Sequence, residues 1–205
     1  HAVKIEHDDS GKVTGVTYAD KDGKLNTQKA RVICVAGNSI ESPRLLLNSA
    51  SAKFPDGLAN SSGMVGKNYM RHTTGSVYAT FEKKVNMHRG TTMAGIIQDE
   101  ARNNTRRGFV GGYEMETLAL GIPFMAAFLD PGAWGPEFAW WMDNYTNLAG
   151  MWLVGEDMPR ESNRITLNKV ALDQYGLPAP NVHFDDHPND IAMRNHAFAQ
   201  GEKVY

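Results

Sequence analysis

Between residues 2 and 20 apolar and polar side chains alternate in two short runs. Val3 and Ile5 mark the first, Val13, Val16 and Tyr18 the second, and the turn-forming stretch Asp8-Asp9-Ser10-Gly11 lies between them. Period-two alternation across such a turn predicts a β-hairpin. A second turn at Lys21-Asp22-Gly23-Lys24 and a polar stretch lead to Val32 to Val35, which are apolar without alternation. Such a run predicts a strand covered on both faces, as in a parallel sheet. The chain then breaks at Ala36-Gly37, and a helix is expected from about Ser39 to Ser49. Pro43 lies in its first turn, where a missing N–H is tolerated, and Leu45, Leu46 and Leu47 form its buried side.

Residues 50–74 read as loop, punctuated by Pro55, Gly57, Gly63 and Gly66. Strand-like alternation resumes over 76–85 and again over 107–120, so a domain boundary is expected near residues 73–75, giving domains 1–73 and 74–205. Trp134, Phe138, Trp141, Met142 and Tyr145 fall near helical spacing and predict a helix over about 134–148. Strands are expected at about 150–157, 163–167 and 181–185, and a last helix from Pro188. These elements place the chain in the α/β to α+β class.

Composition narrows the functional classes. At 205 residues the chain can bury a core without a disulfide or metal, and its formal net charge of -2 comes from interspersed charges. No long-range field of one sign attracts nucleic acid or an acidic membrane, so no nucleic-acid partner is expected. No run reaches the eighteen or so apolar residues that span a bilayer. The single cysteine, Cys34, has no partner for an internal disulfide, and among Val32, Ile33 and Val35 it is expected to be a small buried hydrophobe. The chain begins at "HAVKIEH", already in strand-like alternation, and ends at "AFAQGEKVY" within a helical pattern, so an internal piece of a longer polypeptide is expected, truncated at both ends. The compartment is left open.

The strand, turn and helix over 32–49 form a unit that can present backbone N–H groups to an anion, although it is also an ordinary strand-to-helix connection. No GxGxxG fingerprint, P-loop or G-x-S-x-G elbow is present. His183, Asp185, Asp186 and His187 hold metal-ligating atoms, but a strand end followed by a helix cap is the better reading, and no metal is expected. His88 and His196 are expected to be surface or packing residues, and His7 beside Asp8 and Asp9 to belong to a hairpin end. The aromatic stretch 131–145 could line a pocket for a flat, partly apolar ligand such as a sugar ring; at helical spacing it is more often core.

"VICVAGNSIESPRLLLNSA" followed by "GLANSSGMVGKNYMRH" resembles the central part of the glucose-methanol-choline (GMC) flavoprotein oxidoreductases, especially their sugar and polyol dehydrogenase branch. The similar elements are Ala36-Gly37, Ser42-Pro43-Arg44-Leu45-Leu46, Val65-Gly66-Lys67-Asn68 and His72. By resemblance, residues 1–72 correspond to the middle of a Rossmann-like FAD-binding domain and 75–205 to an antiparallel-sheet substrate domain with helices. The resemblance implies FAD as cofactor and oxidation of a CH–OH group of a sugar, polyol or related alcohol, with hydride passing to the flavin. It further implies an electron-transfer subunit as a partner besides the small-molecule substrate. Val3, Ala36, Gly37 and Asn38 are the residues it places along the cofactor. No histidine here matches the family's catalytic base, which is expected beyond the C-terminus, so no catalytic residue is assigned. The isolated fragment is expected to be inactive. The alternative is a non-catalytic, β-rich module that binds a carbohydrate or a protein.

Overall fold

The computed structural model describes residues 1–119 and 126–205. In chain order its elements are β1 (Ala2–His7), β2 (Val13–Ala19), β3 (Leu25–Lys29), α1 (Asn38–Asn48), β4 (His72–Thr80), β5 (Ile96–Ile97), β6 (Tyr113–Thr117), α2 (Ala126–Leu129), α3 (Pro136–Asn144), β7 (Leu148–Glu156), β8 (Arg164–Leu172), β9 (Pro178–His183) and α4 (Pro188–Val204). The chain forms two compact units. One is His1–Met70 with Pro159–Asp185, the other Arg71–Met158 with Asp186–Tyr205.

In the first unit β1, β2 and β3 form an antiparallel meander. Its two turns use one device. The carboxylate of Asp8 accepts the backbone N–H groups of Ser10 and Lys12, and that of Asp20 those of Asp22 and Lys24. Each turn closes on a glycine in the left-handed conformation, Gly11 and Gly23. Helix α1 is tied to the sheet by Ser49, whose hydroxyl donates to the Leu45 carbonyl at 2.7 Å and accepts the Ile5 N–H at 2.9 Å. The β8–β9 hairpin also packs on α1.

That packing groups residues 159–185 with 1–70 in one compact unit. Residues 159–185 return to the first unit because Arg44 of α1 holds them there. The Arg44 side chain is only 6% exposed, and it bonds Asp173 and the Pro178 carbonyl at opposite ends of the β8–β9 turn. The loop Val65-Gly66-Lys67-Asn68 docks on the same hairpin: the Gly66 carbonyl accepts the Ile165 N–H at 2.7 Å. Gly66 has φ +83°, and a Cβ there would stand 2.3 Å from the Ile165 carbonyl oxygen, so backbone contact requires glycine.

In the second unit a four-stranded antiparallel sheet has the order β4-β7-β6-β5. Its core joins Phe109, Tyr113, Met115, Met151 and Leu153 to Met193 and Ala197 of α4. Alternation along β7 puts Leu153 inside and Trp152 outside, the period-two pattern of a sheet with one covered face. The strand expected over 107–120 is ordered as β6 only from Tyr113, and its last residue, Leu120, lies outside the described residues. The stretch before β6 is stapled instead by Arg107. Its guanidinium pairs with Glu100, donates to the Arg102 carbonyl at 2.7 Å and the Gly111 carbonyl at 3.0 Å, and lies 4.6 Å from the Phe109 ring centre.

Two further expectations are corrected. Residues 32–35 form no strand: Val32 is 78% exposed and Cys34 is exposed. A strand buried on both faces needs neighbours on both edges and cover above and below. The strands of the first unit pair antiparallel among themselves, and none of the described residues takes those places. The helix over 134–148 is shorter, covering 136–144 before a 3₁₀ turn, and buries no residue. Trp141 and Tyr145 pack on Met87 and Leu148, but Trp134 is 86% exposed and Phe138 and Trp140 are exposed as well. The aromatic stretch is therefore mostly surface, because one edge of its apolar stripe is left uncovered.

Candidate functional site

Of the expected cofactor residues, Ala36 and Gly37 line a groove of about 470 Å³ in the first unit, together with Ala2, Cys34, Glu41, Arg44 and Leu45, whereas Val3 and Asn38 do not. That volume is in the range of small-molecule sites, about 300–1,000 Å³. The small side chains leave the backbone of 34–37 open to a flat ligand. Val3 is buried and does not line the groove, although its neighbour Ala2 does. The β1–β2 register shifts between Ala2 and Lys4, which places Val3 at the irregularity of the ladder.

The sharp turn into α1 is made by a different residue from the one its sequence suggests. Gly37 has φ -88°, open to any residue, whereas Asn38 is left-handed at φ +72°. Asparagine tolerates that region, and here its side chain also caps the helix. The Asn38 Oδ1 accepts the N–H groups of Ile40 at 2.8 Å and Glu41 at 3.0 Å, and the Ser42 hydroxyl accepts that of Gly37 at 2.9 Å. A Cβ on Gly37 would lie 3.2 Å from the Glu41 Cβ, so the glycine serves the close fit of the turn against its own helix.

These bonds decide which part of FAD the groove suits. The helix start offers no spare donors at Gly37, Ile40 or Glu41, and the Glu41 carboxylate stands in the first turn where it opposes an anion. Arg44 is committed to Asp173 and Glu41. The residues present therefore fit the flat, uncharged portions of the dinucleotide, against backbone and small side chains. They do not form a pyrophosphate cradle at α1.

The histidines are placed by packing and capping. His187 caps α4, its Nδ1 accepting the Asn189 N–H at 3.0 Å while Asp190 accepts the His187 N–H at 3.2 Å. His183 and Asp185 form an exposed pair at 3.1 Å, and Asp186 binds Arg71 and Arg194. Among the described residues no group of three such side chains could hold a metal ion. His196 Nδ1 lies 2.9 Å from the Tyr113 hydroxyl and packs on Phe109, and His88 packs on Tyr145. His7 bridges the hairpin end to Ser51.

Burial of Tyr113, with the negative charge of Glu100 added and the positive charge of Arg107 opposing, pushes its phenol up to about 12. Sequence reasoning missed the Arg44–Asp173 pair, since 129 residues separate the partners and only the fold brings them together. Among the described residues no helix is long and apolar enough to cross a membrane.

Comparison with known proteins places residues 1–74 in the family described as GMC oxidoreductase. The chain is 36% identical to 2-methyl-1,2-propanediol dehydrogenase of Mycolicibacterium austroafricanum, over 93% of this chain and 36% of that protein. It is 42% identical to 6'''-hydroxyparomomycin C oxidase of Streptomyces lividus, over 99% of this chain and 35% of that protein. Against the fructose dehydrogenase large subunit of Gluconobacter japonicus the identity is 29%, over 88% of this chain and 34% of the relative. The chain spans about a third of the length of these relatives.

Proposed function

The chain belongs to the GMC oxidoreductase family, and from that premise we infer that it forms part of an FAD-dependent enzyme oxidising a CH–OH group of a sugar, polyol or related alcohol. Residues 1–73 belong, in this reading, to a Rossmann-like FAD-binding domain. The sheet β4-β7-β6-β5 with α4 belongs to the substrate domain. The groove lined by Ala2, Ala36 and Gly37 carries the proposal, because it leaves backbone open at Ala36 and Gly37, two of the residues that the family resemblance places along the cofactor.

When bound, FAD supplies the hydride acceptor, and the protein's part is orientation and exclusion of water. Ala36 and Gly37 admit a ring system to the backbone, Asn38 fixes the turn, and Val3 follows Ala2, which lines the same groove. Arg44, which also lines the groove, holds α1 to the β8–β9 turn. The names of the relatives, which include a propanediol, a fructose and a hydroxyparomomycin, support a small hydroxylated substrate. The designation of one relative as a large subunit supports an electron-transfer subunit as partner. The family match leaves a non-catalytic binding module without support.

The test is the absorption spectrum of the protein purified from its full reading frame. A flavin spectrum that bleaches on anaerobic addition of an alcohol or sugar is expected, and an A36W variant should lose flavin while keeping its fold by circular dichroism. A colourless protein that reduces no dye with any alcohol would overturn the assignment.

A further inference from the structure

From Gly108 to Pro159 the sequence contains no lysine, arginine or histidine, yet it carries seven carboxylates and all four tryptophans. The structure gathers part of this stretch into an open cleft of about 490 Å³ at the start of α3, walled by Trp134, Phe138, Ala139 and Met142 with Asp143 at its edge. The indole of Trp134 is 86% exposed. Asp143 has no hydrogen-bond or ion-pair partner among the described residues, and Glu137 is exposed in the first turn of the same helix. Gly135 at φ +59° followed by Pro136 starts α3 sharply, so that Trp134 stands just outside the helix while Phe138 and Met142 follow at four-residue spacing within it.

Each wall has a preference. An exposed indole favours a flat ring stacked on its face, and its negative quadrupole favours a cation there. An unpaired carboxylate at the rim favours a cation again, with no basic side chain in this part of the sequence to compete for it. A neutral sugar would use only the ring face, whereas a sugar bearing an ammonium group would use both.

We propose that the Trp134–Asp143 cleft binds the protonated amino group and ring of an amino sugar. The proposal narrows the substrate class and rests on the reading of this chain as part of an alcohol- or sugar-oxidising enzyme. Its test needs no turnover: glucosamine and glucose are titrated into the purified protein at neutral pH, followed by tryptophan fluorescence and by calorimetry.

Glucosamine should bind at least tenfold more tightly than glucose, a difference of about 1.4 kcal/mol. W134A should weaken glucosamine tenfold or more, with W134F recovering part of it, and D143N should remove the preference for the amine while leaving glucose unchanged. Added salt should weaken glucosamine alone. Equal affinity for the two sugars, no binding of either, or binding indifferent to both variants would overturn the proposal. Concentration-dependent self-association abolished by W134A, without sugar binding, would overturn it in favour of an interface between copies. Because flavin content is read separately, loss of this site and failure of the flavoenzyme assignment give different results.

Discussion

Arg44 Nη2 donates to Asp173 Oδ2 at 2.7 Å while its Nε donates to the Pro178 carbonyl at 2.8 Å, so one buried guanidinium closes the β8–β9 turn onto α1. The helix that lines the groove is thus held by a residue from its own first two turns. Replacing Arg44 by methionine leaves a carboxylate and a carbonyl without their donor. That change should cost about 2–4 kcal/mol of stability, read as a lower denaturant midpoint at unchanged slope. R44K keeps the charge but not the fork, and should fall between the two.

The same pair sets an acid limb. Burial raises the Asp173 carboxyl, but the bond from Arg44 and the backbone N–H groups of Leu177 and Tyr175 outweigh it and hold the group below its ordinary range. A carboxylate depressed in the folded state contributes stability above its unfolded pKa and loses it as pH falls through the folded value. Stability should therefore decline on acidification below the ordinary carboxylate range, and a D173N variant should show a shallower decline in urea titrations at stepped pH.

Tyr113 sets the opposite limit. With its phenol raised to about 12 from 10.0, the folded state retains the proton longer than the unfolded chain. Its contribution is complete below pH 10 and is lost as pH rises through 12. Burial also raises the phenols of Tyr78 and Tyr205, so ultraviolet titration should show several late-ionising tyrosines, one fewer in Y113F. A wild-type titration with no tyrosine later than the ordinary range would contradict the burial described.

Gly66 should be intolerant of change. With φ +83° and the Ile165 carbonyl 2.3 Å from a built Cβ, G66A should destabilise by more than about 1 kcal/mol, measured by thermal or urea unfolding.

The meander, α1, the longer sheet strands and α4 were legible because each rests on local signals: alternation, Asp-x-x-Gly turns, Pro188 in a first turn, and a polar residue before the last helix; Pro43, expected in the first turn of α1, is instead its sixth residue. The strand over 32–35 was not, because an apolar run states only that cover is needed and not whether neighbours take those places. Trp134 and Phe138 misled in the same way, since helical spacing identifies a stripe but not how much of it is covered. Ala36 and Gly37 line one groove and Asn38 does not; the left-handed turn belongs to Asn38, and the N–H groups of Gly37, Ile40 and Glu41 are already bonded within the turn. Asn carries both the conformation and the cap, a signal present in the sequence and assigned there to the neighbouring glycine. Arg44–Asp173 and Arg107 had no local signal, being contacts that exist only once the β8–β9 hairpin has packed on α1 or the loop before β6 is closed.

Cys34 offers the most direct test of the groove as part of the flavin site, because it is the only cysteine, is exposed, and edges that groove. In the absence of denaturant a thiol reagent should modify one equivalent per chain, and saturating FAD should slow that reaction at least tenfold, while glucose and glucosamine should not. A labelling rate unchanged by FAD would contradict the assignment of Ala36 and Gly37 to the cofactor.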